Sequence, residues 1–297
     1  MALLRGLREL QDSLELNLHV AHLDHQLRGE AARDDAQWVA EVCRALALTC
    51  TIGRVDVAAI ASRNGTGIEE TARDERYRFL ESTALAAGCP AIALAHTADD
   101  QAETVLHHIV RGTGLSGLRG IPRERCLASG IRLVRPLLDV ERPVVIDYLA
   151  RVGQAFREDA SNADDSFTRN RIRRHLLPQL AREYNPNVSQ ALRRLAQQAA
   201  ETQAALDTVA GDLLDRVLVS SAAGECRLKW QPLTLVPRHL IRSALAQLWQ
   251  RQNWARQKMG FDQWEQLAEI AISGGTATFP GKIDVRREGR WLTLRAT

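Results

Sequence analysis

The first half of the chain alternates between two hydrophobic periods. Segments with the continuous or alternating apolar runs of β-strands cover residues 14–23, 49–57, 91–95 and 131–134. Segments in which apolar residues recur every three or four positions, as in amphipathic helices, cover residues 30–48, 68–87, 98–111 and 142–152. This alternation predicts a doubly wound α/β fold with a parallel sheet, whose ligands bind at the carboxyl ends of the strands.

The pattern changes after a polar loop predicted at residues 160–167. Two helical stretches follow, divided at Asn185-Pro186-Asn187, which combines a helix breaker with capping residues. Five of the six tryptophans lie in the last quarter of the chain, which indicates a second core. We predict a mainly helical C-terminal domain to about Ser273, followed by short strands at 282–287 and 290–295.

Composition narrows the class of protein. Apolar residues make up 45% of the chain and charged residues 25%, as in ordinary globular proteins. No apolar run is long enough to span a membrane, and the N-terminus has the pattern of an amphipathic helix rather than a signal peptide. The five cysteines are scattered and odd in number, so we expect reduced thiols and a cytoplasmic location.

Positive charge is concentrated in one segment. The net charge is only +3, yet residues 166–194 contain seven arginines and one acid, Glu183. Guanidinium groups at this density favour the phosphate backbone of a nucleic acid, although an exposed charged helix face is an equally simple explanation.

The strongest candidate chemistry follows the strand predicted at 91–95. Asp100, Glu103 and His107 share one face of the helix that begins there, so the two carboxylates could hold Mg²⁺ or an ammonium group. The alternative is structural, because Thr97 and Asp100 have the spacing of a capping box.

Several weaker candidates have simple structural alternatives. Arg73, Arg76 and Tyr77 cluster on a predicted helix, where a solvated face with Glu–Arg pairs is the alternative. The glycine-rich loop at 111–120 could wrap a phosphate, but it lacks the lysine of a Walker motif. The histidines at 19, 22 and 25 are badly spaced for a shared metal on a strand.

Taken in order, these segments resemble tRNA(Ile)-lysidine synthetases, a family of PP-loop ATP pyrophosphatases. The matching stretches cover most of residues 1–180 and are HLDHQLRGEAARDDAQWV (22–39), GIEETARDERYRFL (67–80), ALAHTADDQAETVL (93–106), RGTGLSGLRGI (111–121), RPLLDV (135–140) and REDASNADDSFTRNRIRRHLLP (157–178). The resemblance implies a Rossmann-like PP-loop domain at 1–183 and a tRNA-contacting domain at 184–297.

The resemblance also implies an activity. Such enzymes use ATP with Mg²⁺ to adenylate C2 of the wobble cytidine of tRNA(Ile), which has a CAU anticodon. Free L-lysine then displaces AMP to give lysidine, which changes codon reading from AUG to AUA. No redox cofactor and no membrane take part, and a homodimer is an open possibility.

Site residues follow from the matching motif positions. The resemblance implies a catalytic set of Arg76, His96, Asp100 and Glu103, with Asp100 a candidate for Mg²⁺. It implies strand-end contacts to ATP from His22 and Asp24. Contacts to tRNA or to the AMP phosphate are implied for Arg111, Arg169, Arg171 and Arg173.

Other functions are compatible with parts of the pattern. A PP-loop thiolase of tRNA is the nearest alternative, but relatives with an iron–sulfur cluster need paired cysteines. A tRNA-binding remnant without catalysis is a second. A metal phosphohydrolase built on His96, Asp99 and Asp100 is a third, and it needs further ligands.

One motif of the family is missing from the sequence. The family's Ser-Gly-Gly-x-Asp-Ser loop follows its first, central strand and directly precedes a helix reading Met-Ala-Leu-Leu, which is how this sequence starts. The resemblance therefore implies a sheet without its first strand. Ser273-Gly274-Gly275 has the same first three residues but is not this motif, because no Asp-Ser follows it.

We expect the 297-residue chain to bind ATP poorly and to form no lysidine, because the backbone amides of that loop hold the triphosphate. Adding about 25–30 residues that carry the strand and loop should rescue both. Calorimetric titration with ATP and a lysidine assay check this, and robust lysidine formation by the 297-residue chain contradicts it.

Overall fold

The computed structural model describes residues 1–157, 165, 167–222 and 224–297. Most of the loop predicted at 160–167 lies outside these residues. The chain forms two compact units, Met1–Ala196 and Gln197–Thr297. The family boundary at 183/184 stays a prediction.

The first unit is built from helices and short strands. Its helices are α1 (Ala2–Glu9), α2 (Glu30–Ala45), α3 (Val57–Asn64), α4 (Ile68–Ala86), α5 (Ala98–Val110), α6 (Leu115–Leu118), α7 (Arg142–Arg151), α8 (Thr168–Arg171), α9 (Leu177–Glu183) and the start of α10 (Val188–Val217). Its strands are β1 (His19–Asp24), β2 (Thr49–Arg54), β3 (Ala91–Ala93), β4 (Glu124–Cys126) and β5 (Arg132–Val134).

The strands of the first unit form two sheets. β1 and β2 pair in parallel from His19 opposite Thr49 to Asp24 opposite Arg54. β3 and β5 also pair in parallel, and β4 adds to β5 in the antiparallel direction. Within the described residues no ladder joins β1 to β3, although α4 contacts both strands. The predicted α/β class with a parallel sheet is confirmed.

Two elements differ from the prediction for local reasons. The strand predicted at 49–57 stops at Arg54, because Asp56 caps a new helix, α3, by accepting a hydrogen bond from the Ala59 N–H at 2.9 Å. The strand predicted at 14–23 forms only from His19, after a series of turns.

A π-helical turn over Ile172–Leu176 links α8 to α9. The Leu177 N–H donates to the Ile172 carbonyl, a five-residue spacing that includes one extra residue in the turn. Pro178 follows and has no N–H to donate. The buried side chains of Ile172 and Leu177 pack with Ala102 and Leu106 of α5, so this arginine-rich segment is fixed against α5.

The second unit has its own core, as the tryptophans indicated. Helices α11 (Arg238–Arg251) and α12 (Phe261–Ser273) accompany an antiparallel sheet with the order β6-β7-β10-β9-β8. The strands are β6 (Leu218–Ala222), β7 (Glu225–Lys229), β8 (Gly275–Phe279), β9 (Ile283–Glu288) and β10 (Trp291–Ala296). Of these five strands, only β9 and β10 were predicted from the sequence. Trp249 is fully buried. The rings of Trp254 and Trp264 pack edge-on against it, with ring centroids 4.8 and 5.6 Å from that of Trp249.

Candidate active site

The first turn of α5 uses Asp100 as a cap. Asp100 Oδ2 accepts hydrogen bonds from the Thr97 N–H at 2.8 Å and from the Thr97 hydroxyl at 3.1 Å. The capping box considered from the sequence is therefore present. It occupies only one carboxylate oxygen, so the cap does not exclude a second role for Asp100.

The other oxygen of Asp100 belongs to a cluster of two acids and two arginines. Asp100 Oδ1 accepts hydrogen bonds from Arg169 Nη2 at 2.8 Å and Arg173 Nη2 at 3.2 Å. Glu103, only 1% exposed, accepts from Arg169 Nε at 3.1 Å and from Arg173 Nε at 2.5 Å. We call Asp100, Glu103, Arg169 and Arg173 the acid–arginine cluster.

The charges in this cluster balance. A buried carboxylate is costly unless charged donors surround it, and Glu103 has two guanidinium groups for this purpose. Hydrogen bonds and attraction from Glu103, with further attraction from Asp100, outweigh burial and raise the pKa of Arg173. The prediction of tRNA contacts from Arg169 and Arg173 stays untested, while the structure directs both side chains to the acids.

His96 lies beside the cluster and is held by an arginine that the sequence did not single out. The buried Arg135 donates from Nε to His96 Nδ1 at 3.3 Å and from Nη1 to the Pro122 carbonyl at 2.6 Å. Burial, with the nearby charges of Arg135, Arg169 and Arg76, lowers the pKa of His96 to about 4. The imidazole is therefore neutral near pH 7, with its proton on Nε2, where it can act as a donor.

The remaining predicted residues lie in different surroundings. Arg76 is on α4, and desolvation together with the charges of Arg73 and Arg169 lowers the pKa of its guanidinium. Arg111 is exposed at the end of α5. Arg171 donates to the Asp165 carbonyl at 2.9 Å and to the Thr168 hydroxyl at 3.0 Å.

His22 and Asp24, the two residues predicted to contact ATP at the end of β1, lie in different surroundings. His22 lines a cavity of about 470 Å³, together with Asp35, Trp38, Thr97, Asp100 and Phe156. Asp24 is 3% exposed and accepts a hydrogen bond from the Gln26 N–H at 2.8 Å, which stabilises the turn after β1. A contact from Asp24 to ATP stays a prediction.

Asp35 organises the wall of this cavity. Its carboxylate accepts hydrogen bonds from Arg28 at 2.8 Å and Arg157 at 2.9 Å. Although desolvation acts in the opposite direction, these hydrogen bonds hold the pKa of Asp35 below its usual value. Asp35 and Arg157 fall inside the matching stretches of the sequence, but only the fold shows that they meet.

The described residues offer no ready metal centre. They contain no group of three or more His, Cys, Asp or Glu side chains arranged to hold a metal ion. Both oxygens of Asp100 are engaged by the cap and the arginines. A Mg²⁺ ion bound to Asp100 would displace one of these contacts, and this role of Asp100 stays a prediction.

Two comparisons with known proteins concern the family of the chain. A family model described as a PP-loop domain matches residues 1–180. A curated tRNA(Ile)-lysidine synthase from Rhodopirellula baltica is 34% identical over 94% of this chain and 80% of its own length. The chain belongs to the tRNA(Ile)-lysidine synthase family.

Other relatives are longer. The synthase of Solibacter usitatus is 38% identical over 94% of this chain and 61% of its own length. That of Deinococcus radiodurans is 44% identical over 65% of this chain and 32% of its own length. The chain thus spans less than two thirds of these two relatives.

A solved structure shows the same fold. The U34-tRNA thiolase NcsA from Methanococcus maripaludis, described with its [4Fe-4S] cluster, has a TM-score of 0.54 and 14% identity. The match covers 67% of each chain. At this identity the likeness concerns the fold alone.

No helix in the described part of our chain has the length and apolarity of a membrane span.

We expect Asp100→Asn to fold with reduced stability, since its amide oxygen can still cap α5 while its NH2 group replaces the oxygen that accepts from Arg169 and Arg173. On the prediction that Asp100 holds the reacting amine, we expect lysidine formation to fall about 10²–10³-fold, because an amide cannot make the charge-assisted hydrogen bond that a carboxylate makes. Single-turnover rates and melting temperatures, measured on the chain preceded by the family's phosphate-loop segment, check this.

Asp99→Asn is the matched control, because Asp99 lies in the same turn but accepts a hydrogen bond from the Arg142 N–H at 2.7 Å. If the role of Asp100 is only structural, Asp100→Asn should lower stability, with about 1 kcal/mol or less of this from the cap, and leave the rate intact. That result removes Asp100 from the catalytic set.

The low pKa of His96 makes stability depend on pH. Because the folded-state pKa, about 4, is below the ordinary value of 6.5, the unfolded state takes up a proton first. The contribution of His96 is present above pH 6.5 and is lost as the pH falls toward 4. His96→Gln should reduce the loss of stability between pH about 7 and about 5.

Urea unfolding of the first unit at the two pH values measures this effect. His239→Gln, at an exposed position of α11, serves as the control. Equal pH dependence in the wild type and His96→Gln contradicts the assignment.

Proposed function

We propose that the chain, together with the family's phosphate-loop segment, catalyses the ATP-dependent ligation of free L-lysine to C2 of the wobble cytidine of tRNA(Ile) with a CAU anticodon, in the cytoplasm. One observation carries this proposal. The likeness to the Rhodopirellula baltica tRNA(Ile)-lysidine synthase extends over 94% of this chain and 80% of that protein. It therefore includes both compact units of the structure.

The proposed reaction has two steps. The O2 oxygen of the cytidine attacks the α-phosphorus of ATP, and pyrophosphate leaves. The lysine amine then attacks C2, the C2–O bond breaks, and AMP leaves with the oxygen, while the amine gives up a proton. The product changes codon reading from AUG to AUA. Mg²⁺ accompanies ATP in this proposal, but Asp100 is not assigned as its ligand.

The acid–arginine cluster supports the proposed position of lysine. Two carboxylates and two guanidinium groups alternate within hydrogen-bonding distance of one another. Free lysine also carries both signs, with two ammonium groups and one carboxylate. We assign Asp100 and Glu103 to an ammonium group, and Arg169 and Arg173 to the lysine carboxylate or the AMP phosphate.

His96 and Arg76 support the adenylation step. Because Arg135 donates to Nδ1 of His96, the Nε2 proton is available for the negative charge that builds up on the transferred phosphate. Arg76 adds a permanent positive charge close to His96. Their role is to stabilise charge rather than to remove a proton.

The cavity beside His22 supports the proposed position of ATP. Its volume of about 470 Å³ is within the range of small-molecule sites, and Thr97 and Asp100 line it. A nucleotide held there lies next to the acid–arginine cluster. The reacting phosphate and the lysine amine can then share one site, which is how positioning lowers a bimolecular barrier.

The decisive measurement is the order of product release. With tRNA(Ile) and ATP but no lysine, we expect one equivalent of pyrophosphate per active site and no free AMP. Adding lysine should release AMP and form lysidine. The 297-residue chain is assayed alone and with the family's phosphate-loop segment added, so that ATP binding does not limit the result.

A transcript with uridine at the wobble position is the matched control, since it should release no pyrophosphate. Pyrophosphate release without tRNA, or release of AMP without lysine, contradicts the proposed order. Binding of tRNA with no turnover in either form of the chain supports the alternative of a tRNA-binding protein.

A further inference from the structure

Three arginines surround the ring of Tyr77. The guanidinium carbons of Arg73 and Arg125 each lie 5.3 Å from the ring centroid, and that of Arg76 lies 5.8 Å away. Arg73, Arg76 and Tyr77 come from α4, whereas Arg125 comes from β4. A fourth arginine, the buried Arg135, lies against the Tyr77 hydroxyl. We call Arg73, Tyr77 and Arg125 the tyrosine–arginine site.

The arginines of this site have no acidic partners among the described residues, unlike several arginines nearby. Among the described residues, no carboxylate lies within ion-pair distance of Arg73, Arg76 or Arg125. By contrast, their neighbours Arg78, Arg123 and Arg132 pair with Glu75, Asp139 and Glu124. Burial, with the charges of Arg125 and Arg73, lowers the pKa of Arg135, despite an opposing contribution from Tyr77. A cluster of like charges around one ring is stabilised by a bound anion.

The site is adjacent to the proposed chemistry but separate from the proposed nucleotide cavity. Arg135 contacts both the Tyr77 hydroxyl and His96 Nδ1, so it connects the tyrosine–arginine site to the reacting centre. None of Arg73, Tyr77 and Arg125 lines the cavity of about 470 Å³. Arg73 and Arg125 are both exposed, which suits a large ligand that lies across the surface.

We propose that Arg73, Tyr77 and Arg125 bind a backbone phosphate of the RNA substrate, next to the nucleotide that reaches His96. This inference rests on the proposed function only in requiring an RNA substrate. The guanidinium groups supply forked donors to the phosphate oxygens, and the Tyr77 ring keeps the two arms aligned. The contact positions the RNA and is independent of base identity.

The test is the salt dependence of tRNA(Ile) binding to the full chain, measured by fluorescence anisotropy. Arg73→Gln and Arg125→Gln should weaken binding at low salt. For every phosphate that a variant no longer neutralises, the slope of log K against log salt concentration should fall by about 0.7–0.9. Arg73→Lys and Arg125→Lys keep the charge and should retain most of the slope.

Matched controls come from the same region of the fold. Arg78→Gln on α4 and Arg132→Gln on β5 remove arginines that are already paired with acids, so the slope should not change. Melting temperatures of all variants confirm that they fold. An unchanged slope for Arg73→Gln and Arg125→Gln overturns the inference while leaving the proposed function intact.

A parallel titration with ATP and with inorganic pyrophosphate distinguishes a free phosphate from RNA. If the glutamine variants weaken binding of either small molecule but leave the tRNA slope unchanged, the site binds a nucleotide and the inference is wrong. If the wild-type chain binds no tRNA at all, the inference and the proposed function both fail. Loss of lysidine formation with normal tRNA binding and an unchanged slope overturns the inference as well, because the site then acts in catalysis.

Discussion

The buried carboxylate of Glu103 is the constraint on which the candidate site depends. Such a charge is tolerated only with charged donors around it, and here Arg169 and Arg173 supply them from a distant part of the sequence. This requirement fixes α8 and the π-helical turn against α5. It also brings the other carboxylate, Asp100, and the neighbouring His96 into one small region.

The same region shows how structural and chemical roles coexist in one side chain. Asp100 caps α5 with one oxygen and joins the acid–arginine cluster with the other. The two explanations weighed from the sequence were therefore not exclusive. A cap that orients a carboxylate also restricts its rotamers, which preorganises the oxygen that faces the arginines.

Much of this arrangement follows from the sequence, and the exceptions have physical causes. The spacing of Asp100 and Glu103 predicted a shared helix face, since one helical turn separates them. The partners of these acids were not predictable, because an arginine-rich helix looks the same whether it faces solvent, RNA or a buried acid. Arg135 was missed because a single arginine after a short strand carries no periodic signal. Strands β6 and β8 were missed because they are short and alternate weakly, whereas β7 alternates between buried and exposed positions but has only 5 residues.

The π-helical turn has a consequence for how this segment tolerates change in length. One extra residue within a turn rotates everything that follows by about 100° relative to an uninterrupted α-helix. The extra residue places Leu177 in line with Ile172 on the apolar side, while Arg169 and Arg173 keep the adjacent polar side. Deleting a single residue from this turn would keep both arginines and both apolar residues in the sequence. It would nevertheless take Leu177 out of line with Ile172, so the polar side with Arg169 and Arg173 would no longer lie beside a continuous apolar side. The packing of the segment thus depends on the number of residues in the turn as much as on their chemistry.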